Sequence, residues 1–353
     1  MKNKNRWKSI VIAMMALAVF TMAGCQSKPE DVVATLDDQK ITFGFANFFA
    51  RYTQANYDAM YAQVFGKDVW SQKTGKDNQT IEAGVKQDIL KMIEELYILD
   101  NHKDEYKVSL TKDETKSIEA AADKFMKSNT KDAIEEIGAT KEYIIEMLRL
   151  MTIKDKMYSA MIADVDLKVK DEEKNQAKIK YAKISTKTKK DKNKQDVELT
   201  KEEVKTLRKD VAELAKKVQN GADFDKAATD IGHTASEATY GSDDETLPAE
   251  LKKAANALEE GKTSDVIEIE DSLYVVKMES KLDKKATADK ETSIIKERKE
   301  TKYKEIYDSW AKKVKFKVNN SVWDDVKFDR LFTQVSDTQT ADINSEAGVQ
   351  TQD

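Results

Sequence analysis

The sequence predicts an α+β fold in which a small mixed domain interrupts a mostly helical one. Apolar residues recur every three or four positions over much of residues 43–162, which is typical of amphipathic helices. The order strand, helix, helix, helix, strand, strand then fits within residues 179–278, as expected for one compact α+β domain. Helical periodicity returns over residues 289–314. These three observations together predict a helical domain with an inserted α+β domain.

The N-terminal half is predicted to begin with two short strands, because residues 32–42 alternate modestly around a turn. An aromatic-rich helix over residues 43–65 follows. The clearest helix comes next, and its apolar face consists of Ile81, Val85, Ile89, Met92, Ile93, Leu96 and Leu99. Two further helices are predicted over residues 112–126 and 140–162. Faces as apolar as these need partners, so we expect the helices to pack together.

The mixed domain is predicted to open with a strand at residues 179–185. After a polar, lysine-rich loop, a capping box of Thr200 and Glu203 begins a helix that ends at Asn220-Gly221. The remaining elements are two helices at residues 224–229 and 248–258 and a hairpin of residues 266–269 and 273–278. The last of the helices has Pro248 at its first turn, where proline is tolerated.

The C-terminal helix carries one apolar stripe, which consists of Tyr303, Ile306, Tyr307, Trp310 and Val314. A lone helix would expose this stripe to water, so we expect it to dock on the N-terminal helices. The predicted domains are a helical domain at residues 25–168, the mixed domain at 169–284, a C-terminal helix and strand-like segment at 285–334 that packs on the helical domain, and a disordered tail at 335–353.

Residues 1–24 are predicted to be a signal peptide. A basic start precedes an apolar run at residues 10–22, and small residues lead to Cys25. This ending resembles the lipobox of bacterial lipoproteins, which implies that Cys25 becomes the mature N-terminus and carries diacylglycerol. The protein would then be anchored at the extracytoplasmic face of the cell membrane. An uncleaved membrane anchor is the alternative, although the run is short for a transmembrane helix.

Composition argues against several classes of function. The formal net charge of −5 is unlike the basic footprint of nonspecific nucleic-acid binding. The chain has only two histidines, His102 and His233. Few residues are therefore available for a histidine-based zinc site or for a Ser-His-Asp triad. Gly261-Lys262-Thr263-Ser264 imitates the end of a phosphate loop, but no strand precedes it and Asn256 replaces the upstream glycine. We therefore expect no metal, no cofactor and no nucleic acid.

Three parts of the mixed domain resemble parvulin-type peptidyl-prolyl isomerases. Residues 179–184 are similar to the family's first strand, and residues 220–228 resemble its G-x-D-F-x-x-L-A turn. Residues 254–264 and 273–278 resemble its A-A-F-x-L-x-x-G-x-I-S helix and closing strand. A parvulin domain inserted into a helical domain on a lipoprotein looks like the PrsA foldases, with SurA as a more distant relative. In architecture the resemblance covers nearly the whole mature chain, but its motifs are sharp only over residues 178–280.

The resemblance implies a polar site where the family places histidines on its first and last strands. In this sequence the two positions are Lys183 and Tyr274, and a third polar position falls near His233. The implied prolyl pocket consists of Leu247, Leu251 and Asn256. A charged lysine beside an apolar pocket carries a desolvation cost. The missing histidines therefore favour a domain that binds peptide with weak or lost catalysis.

The sequence thus predicts a membrane-anchored foldase whose partners are unfolded or newly secreted polypeptides. An active prolyl isomerase and a non-catalytic surface scaffold or solute-binding lipoprotein remain as alternatives. A candidate lining for unfolded clients is the aromatic set Phe43, Phe45, Phe48, Phe49, Tyr52 and Tyr57, for which core packing is the competing interpretation. The lysine-rich loop at residues 187–194 could contact anionic polymers or lipid head groups, or it could be a solvated loop.

Overall fold

The structure is a computed structural model that describes residues 27–74, 78–193 and 195–332. The chain divides into two compact units. The first contains the described residues up to Asp164 and from Lys302 onward, and the second contains Val165–Thr301. The predicted signal peptide, the lipidation site Cys25 and the predicted tail lie outside the described residues.

Helices account for most of the regular structure. The helices are α1 (Phe43–Phe65), α2 (Ile81–His102), α3 (Lys112–Ser128), α4 (Lys131–Glu136), α5 (Lys141–Met161), α6 (Asp171–Lys174), α7 (Lys201–Gln219), α8 (Phe224–Asp230), α9 (Ala249–Asn256), α10 (Lys284–Ala311) and α11 (Asn320–Trp323). The strands are β1 (Val32–Leu36), β2 (Gln39–Thr42), β3 (Lys73–Thr74), β4 (Gln79–Thr80), β5 (Ala177–Ser185), β6 (Thr188–Lys190), β7 (Asp196–Glu198), β8 (Ala235–Tyr240), β9 (Ile267–Ile269), β10 (Ser272–Ser280) and β11 (Phe316–Val318). The predicted α+β class is confirmed.

Threonine side chains fix where several helices of the first unit begin. Thr80, Thr111, Thr130 and Thr140 each accept a backbone N–H from the first turn of the helix that follows. Such caps satisfy donors that have no partner inside the helix. At Thr111 the capping box is complete, because Glu114 bonds back to the backbone N–H of Thr111 at 2.8 Å.

The core of the first unit lies among α1, α2, α3 and α5. A three-stranded sheet of order β11-β1-β2 borders it. The apolar stripe of α10 also belongs to this core, since Trp310 is buried and Tyr303 donates a 2.6 Å hydrogen bond to Glu95. None of the helices in the described part of the chain has the length and apolarity needed to cross a bilayer.

The aromatic segment of α1 belongs to the core of the first unit. The prediction that these aromatic residues line a surface for clients is therefore wrong for most of them. Phe43, Phe45, Phe48 and Phe49 are all at most 5% exposed. Helical spacing turns these rings inward, where they meet residues such as Tyr97 and Tyr143. Burial of large aromatic rings stabilises the fold, and it leaves these rings inaccessible to a client. Tyr52 and Tyr57 are only partly buried.

The second unit is built on a four-stranded antiparallel sheet of order β8-β5-β10-β9. β8 was not predicted from the sequence, because Ala235–Tyr240 has few apolar residues and becomes a strand by pairing with β5. The predicted lysine-rich loop contains a small hairpin of β6 and β7. Three of its lysines have acidic partners: Lys187 with Asp271 at 3.9 Å, Lys189 with Glu203, and Lys190 with Asp196 at 2.8 Å.

Candidate functional site

The central strands β5 and β10 present two different faces to the helices. Ala182 and Ile184 of β5 face a cluster with α7 and α8. Ala177, Ile179 and Tyr181 face the other cluster, which is shared with α9. This alternation follows from the two-residue period of a strand. Lys183 therefore belongs to the face that carries α9.

A cleft of about 510 Å³ opens on the α9 face, where the ends of the sheet meet the loop that leads into α9. Its lining comes from four parts of the chain, and the residues are Lys183, Glu245, Thr246, Leu247, Pro248, Glu250, Glu268, Ile269, Glu270, Ser272 and Tyr274. The volume lies within the range of sites that bind small molecules. This cleft is the candidate functional site.

Lys183 and Tyr274 face each other directly across the antiparallel pair of β5 and β10. The Tyr274 side chain is buried, and the Lys183 Nζ lies 5.9 Å from its ring centroid. This distance permits a cation–π contact. Lys183 itself is exposed, so its charge remains hydrated. The predicted desolvation cost therefore does not arise at this position.

The loop before α9 is shaped by Asp244. Its Oδ1 accepts backbone N–H groups from Thr246 at 2.9 Å and from Leu247 at 3.1 Å, an arrangement typical of Asx turns. Burial acts to raise the pKa of Asp244, but the hydrogen bonds from Leu247 and Thr246 outweigh it and hold the pKa below its ordinary value. Lys252 donates to the Asp244 carbonyl oxygen. The turn holds Leu247 and Pro248 against the cleft.

The predicted prolyl pocket is only partly assembled. Leu247 lines the cleft, whereas Leu251 is fully buried in the core beneath it. Asn256 lies at the far end of α9, about 9 Å along the axis from Glu250 at 1.5 Å per residue, and it accepts a 2.6 Å hydrogen bond from the Tyr240 hydroxyl. Its role in the structure is therefore to tie α9 to β8.

His233 also lies outside the lining of the cleft. It occupies the turn between α8 and β8, where its backbone N–H donates to the Ala228 carbonyl at 2.9 Å. The nearby Ala235 pairs with Ala182 and faces the α7 and α8 side of the sheet. Burial lowers the pKa of the His233 imidazole, which favours its neutral form.

The cleft has an acidic rim that the sequence reasoning missed. It consists of Glu245, Glu250, Glu268 and Glu270, all exposed, and Lys183 is the one cation in the lining. Arg208 donates to both Glu268 oxygens, at 2.7 and 2.5 Å, and thereby lowers the pKa of that carboxyl. The other three carboxylates have no ion pair within the described residues. The acidic runs at residues 243–245 and 268–271 are the sequence signal that could have revealed this rim.

Chemically, the site can hold a peptide and donate hydrogen bonds, and proline isomerisation requires no covalent step. The enzyme need only favour the twisted amide over the planar one, across a barrier of about 18–20 kcal/mol. The Tyr274 hydroxyl and the Lys183 ammonium are side-chain donors in the lining of the cleft, which also contains the hydroxyls of Thr246 and Ser272. Within the described residues, no group of three or more His, Cys, Asp or Glu side chains is arranged to hold a metal ion.

Solved structures similar to this chain include foldases and chaperones. The foldase protein PrsA of Lactococcus lactis is 20% identical, with 85% of this chain and 98% of that chain covered and a TM-score of 0.31. The foldase protein PrsA of Streptococcus pneumoniae is 18% identical, with 72% and 98% covered and a TM-score of 0.27. A third similar structure comes from work on PEB4 and Cj1289, two SurA-like chaperones of Campylobacter jejuni. It is 8% identical, with 81% of this chain and 98% of that chain covered and a TM-score of 0.26.

No curated protein matches the chain significantly. The model of the PPIC-type PPIase domain family matches residues 154–293. This range includes every strand of the four-stranded sheet and every residue that lines the cleft. The resemblance of the mixed domain to parvulin-type isomerases is thereby confirmed. Residues 154–293, which include nearly all of the second unit, are thus similar to the PPIC-type PPIase domain family.

Proposed function

We propose that this protein is a membrane-anchored, extracytoplasmic foldase that binds unfolded or newly secreted polypeptides. The observation that carries the proposal is the cleft of the PPIC-type domain, in which Leu247 and Pro248 offer apolar surface opposite Lys183 and Tyr274. Foldase activity is tested by following aggregation of a reduced, unfolded client with this protein in several-fold molar excess. Suppression of aggregation supports the proposal, and the absence of suppression would contradict it.

We further propose that the domain binds proline-containing peptides but isomerises them slowly. The basis is the replacement of both expected histidines by Lys183 and Tyr274, which leaves a half-buried His233 outside the cleft. We expect an X-Pro peptide to shift the NMR signals of the cleft residues while its cis-to-trans rate rises only slightly above the uncatalysed rate. Rapid conversion would refute weak catalysis, and unshifted cleft signals would refute peptide binding.

Two substitutions separate the tyrosine hydroxyl from the tyrosine ring. Tyr274→Phe keeps the buried ring and removes the donor, so it is expected to retain peptide binding and to lose the residual acceleration. Tyr274→Ala also removes the ring from the core, and we expect it to weaken binding as well. The measurements are isomerisation rates and peptide affinities of the two variants beside the parent. Equal rates for the parent and Tyr274→Phe would show that the hydroxyl has no catalytic part.

The acidic rim predicts a charge preference among peptides. At low salt, a peptide with lysines flanking its proline is expected to bind about threefold to tenfold more tightly than its glutamate counterpart, because exposed ion pairs contribute only modestly. The preference should shrink as salt screens the charges. A Glu250→Gln, Glu270→Gln double variant should reduce it, whereas the exposed Glu259 outside the cleft serves as the control through Glu259→Gln. Equal affinity for both peptides at low salt would contradict this prediction.

A further inference from the structure

The chain that follows α11 forms an extended strap, Val326–Phe332, that belongs to no helix or strand. Its burial alternates at first, since Val326 and Phe328 are buried and Lys327 and Asp329 are exposed. Phe332, at the end of the described residues, is buried again. An extended segment without a pairing strand must find other partners for its buried backbone groups.

Side chains of α1 and α2 supply those partners by bonding to the main chain of the strap. From α1, Gln54 donates to the Arg330 carbonyl at 2.5 Å, and Arg51 donates to the Lys327 carbonyl. The Asp58 carboxylate of α1 accepts a hydrogen bond from the Phe332 N–H at 2.7 Å. Positions 51, 54 and 58 are three and four residues apart, so they share one helix face.

Two residues of α2 complete the set. Lys86 donates to the Val326 carbonyl at 2.6 Å, and Glu82 accepts the Phe328 N–H at 3.2 Å. These two positions are four residues apart and also share a face. Together the two helices form what we call the strap groove, whose polar side chains are Arg51, Gln54, Asp58, Glu82 and Lys86. Because all five bond to backbone atoms, these polar contacts do not depend on which side chains the bound segment carries.

Four of these side chains are buried. Arg51 is 4% exposed and Lys86 is 8% exposed, while Gln54 and Asp58 are fully buried. Burial lowers the pKa of Lys86 and Arg51 and raises the pKa of Asp58, as desolvation disfavours each charged form. Apolar side chains at these positions would leave the buried N–H and C=O groups of the strap without partners. A row of buried polar side chains is therefore suited to binding a main chain that belongs to no sheet.

The groove also offers apolar contacts to particular side chains of the strap. Phe328 meets Trp70 edge to face, with ring centroids 4.8 Å apart. The Arg51 guanidinium lies 4.7 Å from the ring centroid of Phe332. The side chain of Lys327, between two buried neighbours, is exposed. The groove thus selects an extended segment with a buried first residue, aromatic third and seventh residues, and an exposed second residue.

We propose that the strap groove is a binding site for extended apolar segments of unfolded polypeptides, which the strap occupies in cis and from which such segments displace it. This inference rests on the proposed foldase function, because it names the site where an unfolded client would bind. Release of the strap breaks these side-chain bonds and withdraws Val326, Phe328 and Phe332 from the core of the first unit. It breaks no hydrogen bond of a sheet, because the strap belongs to no strand.

A peptide with the strap sequence, residues 326–332, tests the groove in the full-length protein. In the parent, the strap is part of the same chain as the groove, so it competes with the added peptide at a high effective concentration. A Phe328→Ala, Phe332→Ala variant should loosen the strap, so we expect the fluorescently labelled peptide to bind this variant about tenfold or more tightly than the parent. Lys327→Ala is the matched control, because that side chain is exposed, and it should bind the peptide like the parent. A folded double variant without increased binding would overturn the proposal.

Hydrogen exchange in the parent provides a second test that requires no folded variant. Reduced, carboxymethylated α-lactalbumin is the unfolded probe. When it is bound at saturation, we expect the strap amides, including those of Phe328 and Phe332, to exchange faster because the strap has left the groove. Unchanged or slower exchange with the probe bound would overturn the groove proposal and leave the foldase function intact. Absence of any probe binding would instead count against the foldase function, and the peptide experiment would then decide on the groove.

Discussion

Replacing Cys25 by serine is expected to move nearly all of the protein from the membrane fraction to the soluble extracytoplasmic fraction. Serine lacks the thiol that would carry diacylglycerol, and each buried CH₂ of an acyl chain contributes about 0.8 kcal/mol to membrane binding. Two acyl chains therefore hold a protein firmly, and their loss should release it. Immunoblots of the separated fractions, with the mass of the N-terminal peptide, measure the effect.

Gln26→Ala is the matched control for the lipidation experiment, because it changes the neighbouring residue and keeps the thiol. This variant should stay in the membrane fraction with a lipid-modified N-terminus. If the N-terminal peptide of the parent retains residues 1–24 and carries no diacylglycerol on Cys25, the lipid anchor is wrong. That result would favour the alternative of an uncleaved membrane anchor.

The second large effect is expected for Leu251→Ala. Leu251 is fully buried beneath the cleft, in the cluster that includes Tyr274 and Val276. Truncation of a buried leucine leaves a cavity and costs about 2–5 kcal/mol in the free energy of unfolding. Since α9 also supplies Glu250 to the cleft, we expect weaker peptide binding together with lower stability of the second unit.

Leu282→Ala offers the matched control in the same unit. Its side chain is 48% exposed, so its removal should change the stability by no more than about 0.5 kcal/mol. Tryptophan fluorescence cannot report on this unit, because residues 165–301 contain no tryptophan. Hydrogen exchange followed by mass spectrometry over these residues measures the two variants. Equal protection in both would contradict the assigned core position of Leu251.

Elements with strong local signals could be predicted from the sequence. The helix over residues 43–65 was predicted with the bounds that α1 has, and the capping box of Thr200 and Glu203 correctly marks the start of α7. Caps and helical periodicity act within a few residues, so one sequence is enough to reveal them. The hairpin of β9 and β10 was also predictable, because two apolar runs flank a short acidic turn.

Features that depend on distant partners could not be predicted. β8 is a strand because it pairs with the edge of β5, and no pattern within Ala235–Tyr240 indicates that pairing. A helix and a strand-like segment were predicted within residues 285–334, where the structure has α10 and β11. The strap beyond α11 had no signal of its own, and side chains of α1 and α2 hold it outside any sheet. Tertiary contacts override weak local preference in such segments.

The candidate site was predictable only in part, because some of its residues lie in local motifs and others come together only through the fold. Lys183 and Tyr274 were found because the family motifs fix their strands, and antiparallel register then places them opposite each other. His233 came from a loose alignment, and it lies in a turn outside the cleft. Asn256 came from the family's helix motif, and it lies at the far end of α9. The acidic rim comes from separate loops and a hairpin, so only the fold brings its carboxylates together.

The closure of the first unit by residues near both ends of the described chain has a kinetic consequence for the proposed export. Ser27 donates to Asp325 at 2.8 Å although the two are 298 positions apart, and β1 pairs with β11. A chain delivered from its N-terminus can fold the continuous segment 165–301 while the partners of β1 are still to come. Contacts so distant in sequence form slowly. On the proposed export route, the helical unit would therefore keep unpaired apolar surface until β11 has emerged to pair with β1.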